Sequence, residues 1–282
     1  MEHTLKIQVK QEVLSLVTGI SFSCVPAWYD STMRNLKMDL IIPKHREGHA
    51  LCPAIIWVCG GAYRVVDHSV WIPEMLYFAR KGYVVASIEY RTSNEAKFPA
   101  ALIDAKAAVR YLKVHAKELC IDPERICIMG ESAGGTMAGL VGVTGGRKEF
   151  EQGDNLNVDS KVRAVVDFYG LADLVHVPLN ESPDVPPWVL QDFLGQNYTK
   201  ETAAGASAVT YIDENTPPFM ILHGEADPLV PLEQSSRLYE ELGKNGVEAE
   251  LYIIEGAGHG ADEFYQEEVL ELVTDFLTRV ME

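Results

Sequence analysis

From residue 54 onward, short apolar runs alternate with longer amphipathic ones. Ala54–Val58, Val84–Ile88, Ile126–Met129, Ala164–Phe168, Phe219–His223 and Glu248–Ile254 are brief and rich in Val and Ile. Their hydrophobicity is continuous rather than alternating, which predicts strands covered on both faces, as in a parallel sheet. The segments between them predict helices. Pro99 takes the favoured first-turn position of one, and Leu102, Ala105, Val109 and Leu112 then share a face. Ser69–Gly82 and Val230–Gly243 each end in glycine, and Asp262–Val280 sets Val269, Val273, Phe276 and Val280 in one stripe. The repetition predicts a single α/β domain with right-handed crossovers. Gly19–Cys24 and Leu36–Ile42, with no helix between them, predict antiparallel edge strands.

One stretch breaks the rhythm. Residues 171–218 separate two strands by far more than a normal crossover, and they combine many prolines with Trp188, Phe193, Tyr198 and Tyr211. Such an insertion is functional or disordered, and its aromatic content favours order. The expectation is a small cap over the C-terminal edge of the sheet. Trp188, Phe193 and Tyr198 are candidate substrate-binding residues with faces for stacking; the competing reading makes them the cap's own small core.

The central chemical signal is Gly130-Glu131-Ser132-Ala133-Gly134, which follows a strand and precedes a helix-like run. A G-x-S-x-G turn in that position lifts the Ser hydroxyl out of the sheet and leaves the next amide free for an oxyanion. Ser is a poor nucleophile without a base. Of the eight histidines, His259 in Gly256-Ala257-Gly258-His259-Gly260 lies on a glycine loop after the last strand, where it can reach Ser132. His223 reads instead as a buried, hydrogen-bonded support of its turn. The orienting acid is expected after another strand, and Asp227 fits. Asp173 is the rival and Glu225 a weaker one. A second oxyanion donor is expected from Cys59-Gly60-Gly61-Ala62-Tyr63, giving Gly61, Ala62 and Ala133 as the hole.

Charge narrows the partners. The formal net charge of −17 argues against nucleic acid and anionic membranes, both of which need basic patches. The longest apolar run, Ala54–Tyr63, is half of a membrane span. Polar residues interrupt Val13–Val25 and no A-x-A site follows, so it reads as a strand rather than a signal peptide. Five cysteines without a CxxC pair read as reduced thiols, and a cytoplasmic protein is expected. His45-Arg46-Glu47-Gly48-His49 is not H-E-x-x-H, so no metal site is expected there. The glycines at 256, 258 and 260 do not match a dinucleotide loop.

The residues carry a resemblance. The chain resembles α/β-hydrolase esterases of the hormone-sensitive-lipase-like, small carbohydrate acetyl and feruloyl esterase group, and also kynurenine formamidase. It does so in Cys59–Tyr63, Glu89-Tyr90-Arg91, Phe98-Pro99-Ala100-Ala101, the Ser132 elbow, Pro217-Pro218-Phe219, and the Asp227 and His259 segments. The order Ser, Asp, His agrees with that fold. One departure is Cys59, where the group usually has His. The resemblance implies a Ser132–His259–Asp227 triad with no cofactor and no metal. It implies a serine carboxylesterase acting on a small-molecule, short-acyl ester, expected to be that of a carbohydrate. A formamidase or peptidase is the alternative, and a non-catalytic ligand-binding protein stands further off, having no need of a filled triad. A homo-oligomer is left open.

Overall fold

The computed structural model describes residues 1–44, 48, 50–177 and 187–282. His45, Arg46, Glu47 and His49 of the polar turn, and Asn180, Glu181 and Asp184 of the insertion, lie outside the described residues. Eight strands form one sheet in the order β1-β2-β4-β3-β5-β6-β7-β8. They are β1 Leu14–Ala27, β2 Thr32–Pro43, β3 Cys52–Val58, β4 Val84–Ile88, β5 Ile121–Glu131, β6 Ala164–Phe168, β7 Phe219–Gly224 and β8 Ala249–Ile254. From β4 through β8 every pairing is parallel, while β1 and β2 are antiparallel and occupy one edge.

The continuous hydrophobicity of the inner strands follows from cover on both faces. Ile56 and Val58 of β3 join a core with Leu102 and Val109 of α2 (Ala100–Val114), Met137 and Val141 of α3 (Ala133–Val143), and Leu238 of α6 (Leu232–Lys244). Ile55 and Trp57 point the other way, against Phe78 of α1 (Ile72–Arg80) and Val273 and Phe276 of α7 (Glu267–Met281). Successive side chains of a strand thus feed two separate cores.

Among the boundaries that differ from expectation, two stand out. Pro99 caps α2 from outside its first turn. The expected helix Asp262–Val280 is split into a 3-10 turn, Asp262–Tyr265, and α7, with Gln266 extended between them. The break lets Tyr265 stack on Trp71 at 4.2 Å. The 171–218 segment holds the short helices α4 (Pro187–Leu194) and α5 (Lys200–Gly205).

The passage from β5 to α3 is the tightest point of the fold. A Cβ on Gly134 would collide with the Val58 carbonyl oxygen of β3, and one on Gly130 would strike the Gly134 carbonyl. Only glycine lets strand, turn and helix approach this closely. Gly134→Ala is therefore expected to cost about 3 kcal/mol or to abolish folding, as overpacking against rigid backbone does. Gly243→Ala in α6, where a Cβ meets open space, should instead stabilise by about 0.5–1 kcal/mol. Urea unfolding of the two variants measures both, and equal effects would refute the close-approach account.

Candidate active site

Ser132 sits at the apex of the β5–α3 turn with φ 55° and ψ −120°. A non-glycine residue there is strained, on the order of 1–3 kcal/mol, and persists only where surrounding packing fixes it. The strain turns the hydroxyl out of the sheet. Ser132 Oγ lies 2.9 Å from His259 Nε2, and His259 Nδ1 lies 2.7 Å from Asp227 Oδ2. The three groups come from the ends of β5, β7 and β8, gathered at one sheet edge by the parallel register.

Asp227 is held from both sides. Its Oδ1 accepts the Leu229 and Val230 amides at 2.8 and 2.9 Å. Burial opposes its ionisation, but the His259 hydrogen bond and these amides outweigh burial and keep the carboxyl below its ordinary range. The charged acid thereby fixes the Nδ1–H tautomer and leaves Nε2 facing the hydroxyl. His223 is fully buried, with Nδ1 2.6 Å from Ser235 Oγ and Nε2 2.9 Å from the Val230 carbonyl. Burial pushes its pKa down, so it stays neutral and supports the Asp227 turn. Asp173 is engaged elsewhere, with His176 at 2.8 Å and Arg237 at 3.3 Å, and Glu225 accepts the Gly256 amide. Neither partners His259.

The Gly60–Tyr63 loop supplies free donors. Among the described residues the Gly61 and Ala62 amides have no acceptor, and Ala133, as the first residue of α3, has no intrahelical acceptor for its N–H. Ala62 and Ala133 line the same cavity as Ser132 and His259. The loop's support was not foreseen from sequence. Glu131, the second residue of the elbow motif, accepts the Gly60 amide at 2.5 Å and Trp71 Nε1 at 3.3 Å. Burial raises its pKa, against the opposing pull of these donors and of His259. Tyr90 adds a second tether, donating its hydroxyl to the Cys59 carbonyl at 2.8 Å. Cys59 itself is buried 4.0 Å from Ser87 Oγ, and burial pushes its thiol up to about 12. It is a packed thiol and not a thiolate.

The cavity at Ser132 measures about 150 Å³ and is walled by Tyr63, Thr136, Leu171, Trp188, Val189, Leu229 and Val230. Trp188 is 37% exposed at its mouth, with the Arg64 guanidinium 3.9 Å above the ring and Asp192 paired to Arg64. The other two aromatic candidates do not reach the cavity. Phe193 is 2% exposed and stacks on the back of Tyr63 at 4.0 Å, and Tyr198 packs against the same core. They are the insertion's hydrophobic anchor, because an apolar ring at that depth gains more from burial than from a place in the wall. Among the described residues no three His, Cys, Asp or Glu side chains are grouped to hold a metal ion, and no helix is long and apolar enough to cross a membrane.

Two variants separate the candidate acids. Asp227→Asn should lower activity on the order of 10⁴-fold by presenting the wrong imidazole tautomer, whereas Asp173→Asn should leave most of it. The reverse result in steady-state kinetics would move the acid to Asp173. A second carboxyl near the elbow gives a pH test. Asp167 is buried beside Gly135, accepts the Gly170 amide at 2.9 Å, and is pushed by burial to about 7. With its folded pKa above the unfolded value near 3.8, the folded state binds the extra proton, so this group's contribution falls as pH rises from about 4 to 7. Asp167→Asn should gain stability relative to the parent across that window in urea titrations, and a parallel pH dependence of the two proteins would contradict this.

A family profile described as BD-FAE matches residues 38–242. The "Probable carboxylic ester hydrolase LipM" of Mycobacterium tuberculosis is 32% identical over 193 residues, covering 67% of this chain and 44% of that protein. The chain spans about half the length of the curated relatives it matches. A solved structure described as a truncated form of carbohydrate esterase from gut microbiota is similar with TM-score 0.81 and 28% identity, over 98% of this chain and 99% of that one. Butyrate-bound esterase 2 of Thermogutta terrifontis is similar with TM-score 0.74 and 26% identity, over 88% and 90%.

Proposed function

The chain belongs to the BD-FAE family and has the α/β-hydrolase fold, and from that premise we propose that it is a serine carboxylesterase acting on short-acyl esters of an uncharged, soluble alcohol, a carbohydrate in particular. The observation that carries the reading is the continuous hydrogen-bonded line Ser132–His259–Asp227 opening into a small apolar cavity. Ser132 Oγ attacks the ester carbonyl as His259 Nε2 takes its proton. The oxyanion is met by the amides of Ala62 and Ala133, with Gly61 beside them, in a loop that Glu131 and Tyr90 hold fixed. His259 then protonates the departing alcohol. Water, deprotonated by the same imidazole, attacks the acyl-enzyme and releases the acid. Asp227, already ionised, stabilises the imidazolium without taking its proton.

The cavity sets the acyl group. About 150 Å³ lined by Tyr63, Thr136 and Leu171 admits a few carbons and not a fatty-acyl chain. A butyrate-bound esterase among the similar structures supports that limit, and a carbohydrate esterase supports a sugar as the alcohol. The net charge of −17 suits a neutral substrate. We place the protein in the cytoplasm on its five cysteines, which include no CxxC pair.

A panel of p-nitrophenyl esters, acetylated xylo-oligosaccharides and N-formylkynurenine tests the reading. Acetate and butyrate should be cut at least about 100-fold faster than palmitate, the discrimination a closed pocket gives when added methylenes cannot enter. Ser132→Ala should be inert on all of them yet keep its unfolding midpoint. Preference for chains of twelve carbons or more, represented by laurate and palmitate, would make it a lipase. Faster turnover of the formamide would make it a formamidase.

A further inference from the structure

The β1–β2 turn holds two largely exposed aromatic rings that the proposed chemistry does not use. Trp28, Tyr29 and Asp30 occupy the left-handed region in succession, at φ 52°, 53° and 64°. A Cβ in that conformation crowds the following carbonyl, so glycine and asparagine are its usual occupants. The chain instead carries Trp and Tyr there, and neither ring is buried in the core. Trp28 is 58% exposed and Tyr29 62%. Of the other non-glycine residues in the left-handed region, Ala62, Tyr63, Ser132 and Tyr169 lie at the catalytic line, and Cys120 and Asn155 lie elsewhere. Backbone strain of this kind is held at functional sites in other proteins too.

The turn is fastened to the mouth of the cavity. The Tyr29 amide donates to the Glu95 carbonyl at 2.9 Å and its hydroxyl to the Ser93 carbonyl at 3.3 Å. The Ser93 amide in turn donates to the carbonyl of Tyr63, a cavity wall, at 2.7 Å. Asn94 Nδ2 donates to the carbonyl of Arg64 at 2.9 Å, and Arg64 covers Trp188. Glu95 is pinned by Arg34 and by the Thr92 amide. A strip of held backbone therefore runs from the cavity wall to two outward-facing rings.

We propose that Trp28 and Tyr29 form a stacking platform for the glycan chain bearing the scissile ester, extending the substrate site beyond the cavity mouth. The proposal rests on the carbohydrate-ester reading above. A sugar ring offers an apolar face for an aromatic ring and hydroxyls around its edge, and the platform offers rings bordered by exposed polar groups. The net charge of −17 makes a neutral glycan the fitting ligand rather than a polyanionic one.

The test separates binding from turnover. Ser132→Ala protein is run in native gels containing acetylated xylan or acetylated mannan, alone and with Trp28→Ala or Tyr29→Ala added. One of the polymers should retard the parent, and Trp28→Ala should weaken the apparent affinity about tenfold, as loss of one aromatic anchor does. In the active chain, Trp28→Ala should lower kcat/KM on the acetylated polymer about fivefold more than on p-nitrophenyl acetate, less than the binding loss because the ester group keeps its own contacts. Trp28→Asn tests the strain directly, since it should raise the unfolding midpoint while weakening retardation; a structural role would lower the midpoint. No retardation of the parent by either polymer overturns the platform, whatever the protein hydrolyses. So does retardation indifferent to Trp28, an equal loss on both substrates, or dissociation of an oligomer by Trp28→Ala in size-exclusion chromatography, which would make the turn a contact between copies. Retardation that depends on Trp28, with small esters cut but acetylated glycans untouched, would keep the platform and sink the carbohydrate-ester reading.

Discussion

Everything at the site depends on the contact between the Val58 carbonyl of β3 and the glycines of the β5–α3 turn. That contact forces the chain to reverse within one residue, and Ser132 takes the left-handed conformation as a result. Three consequences follow from a single geometric fact. The hydroxyl stands clear of the sheet, the first amides of α3 point at the space above it, and β3 ends close enough that its following loop shares that space. A larger residue at 130 or 134 would separate β3 from α3 and dissolve all three together. The small side chains along α3, with Gly142 close against Val165 and Phe219, continue the same tight approach down the helix.

Two carboxyls near His259 divide the electrostatic work. Asp227 gathers enough donors to remain charged in spite of burial. Glu131 is also buried, and its pKa moves upward under the dominant influence of desolvation. Its geometry assigns it to the loop rather than to the imidazole, because Gly60 and Trp71 donate to it. Aromatic rings pack beside these groups, Trp71 on Tyr265 and Tyr169 against His259. A low-dielectric wall strengthens every dipole aimed at a developing oxyanion.

The parallel strands were legible because each is apolar on both faces. Val84–Ile88 and Ala164–Phe168 match β4 and β6 residue for residue. The elbow, His259 and Asp227 were legible because the chemistry demands particular residue types after particular strands, and their side chains meet in hydrogen-bonded line. Aromatic residues gave no such signal. Trp188, Phe193 and Tyr198 look alike in sequence, yet one rims the cavity and two pack against the core, a difference set by burial that only the packed α4 decides. Glu131 was missed for a different reason. The motif leaves its second position unspecified, so nothing local shows that its carboxylate reaches across to another loop. The 3-10 turn before α7 was hidden because Phe264 is buried, as Val273 and Phe276 of the stripe are, without being α-helical.

At Cys59 the side chain departs from the one the resembling group usually carries, while the backbone beside it stays tethered. A histidine at that position would hold the loop through its own ring. Here the thiol only packs, and burial keeps it protonated. The tethers are Tyr90, which binds the Cys59 carbonyl, and Glu131, which binds the next amide. Both act on the main chain, and the oxyanion donors proposed above are themselves main-chain groups. The requirement is therefore a fixed peptide orientation, and a side chain from a neighbouring strand meets it as well as one from the loop.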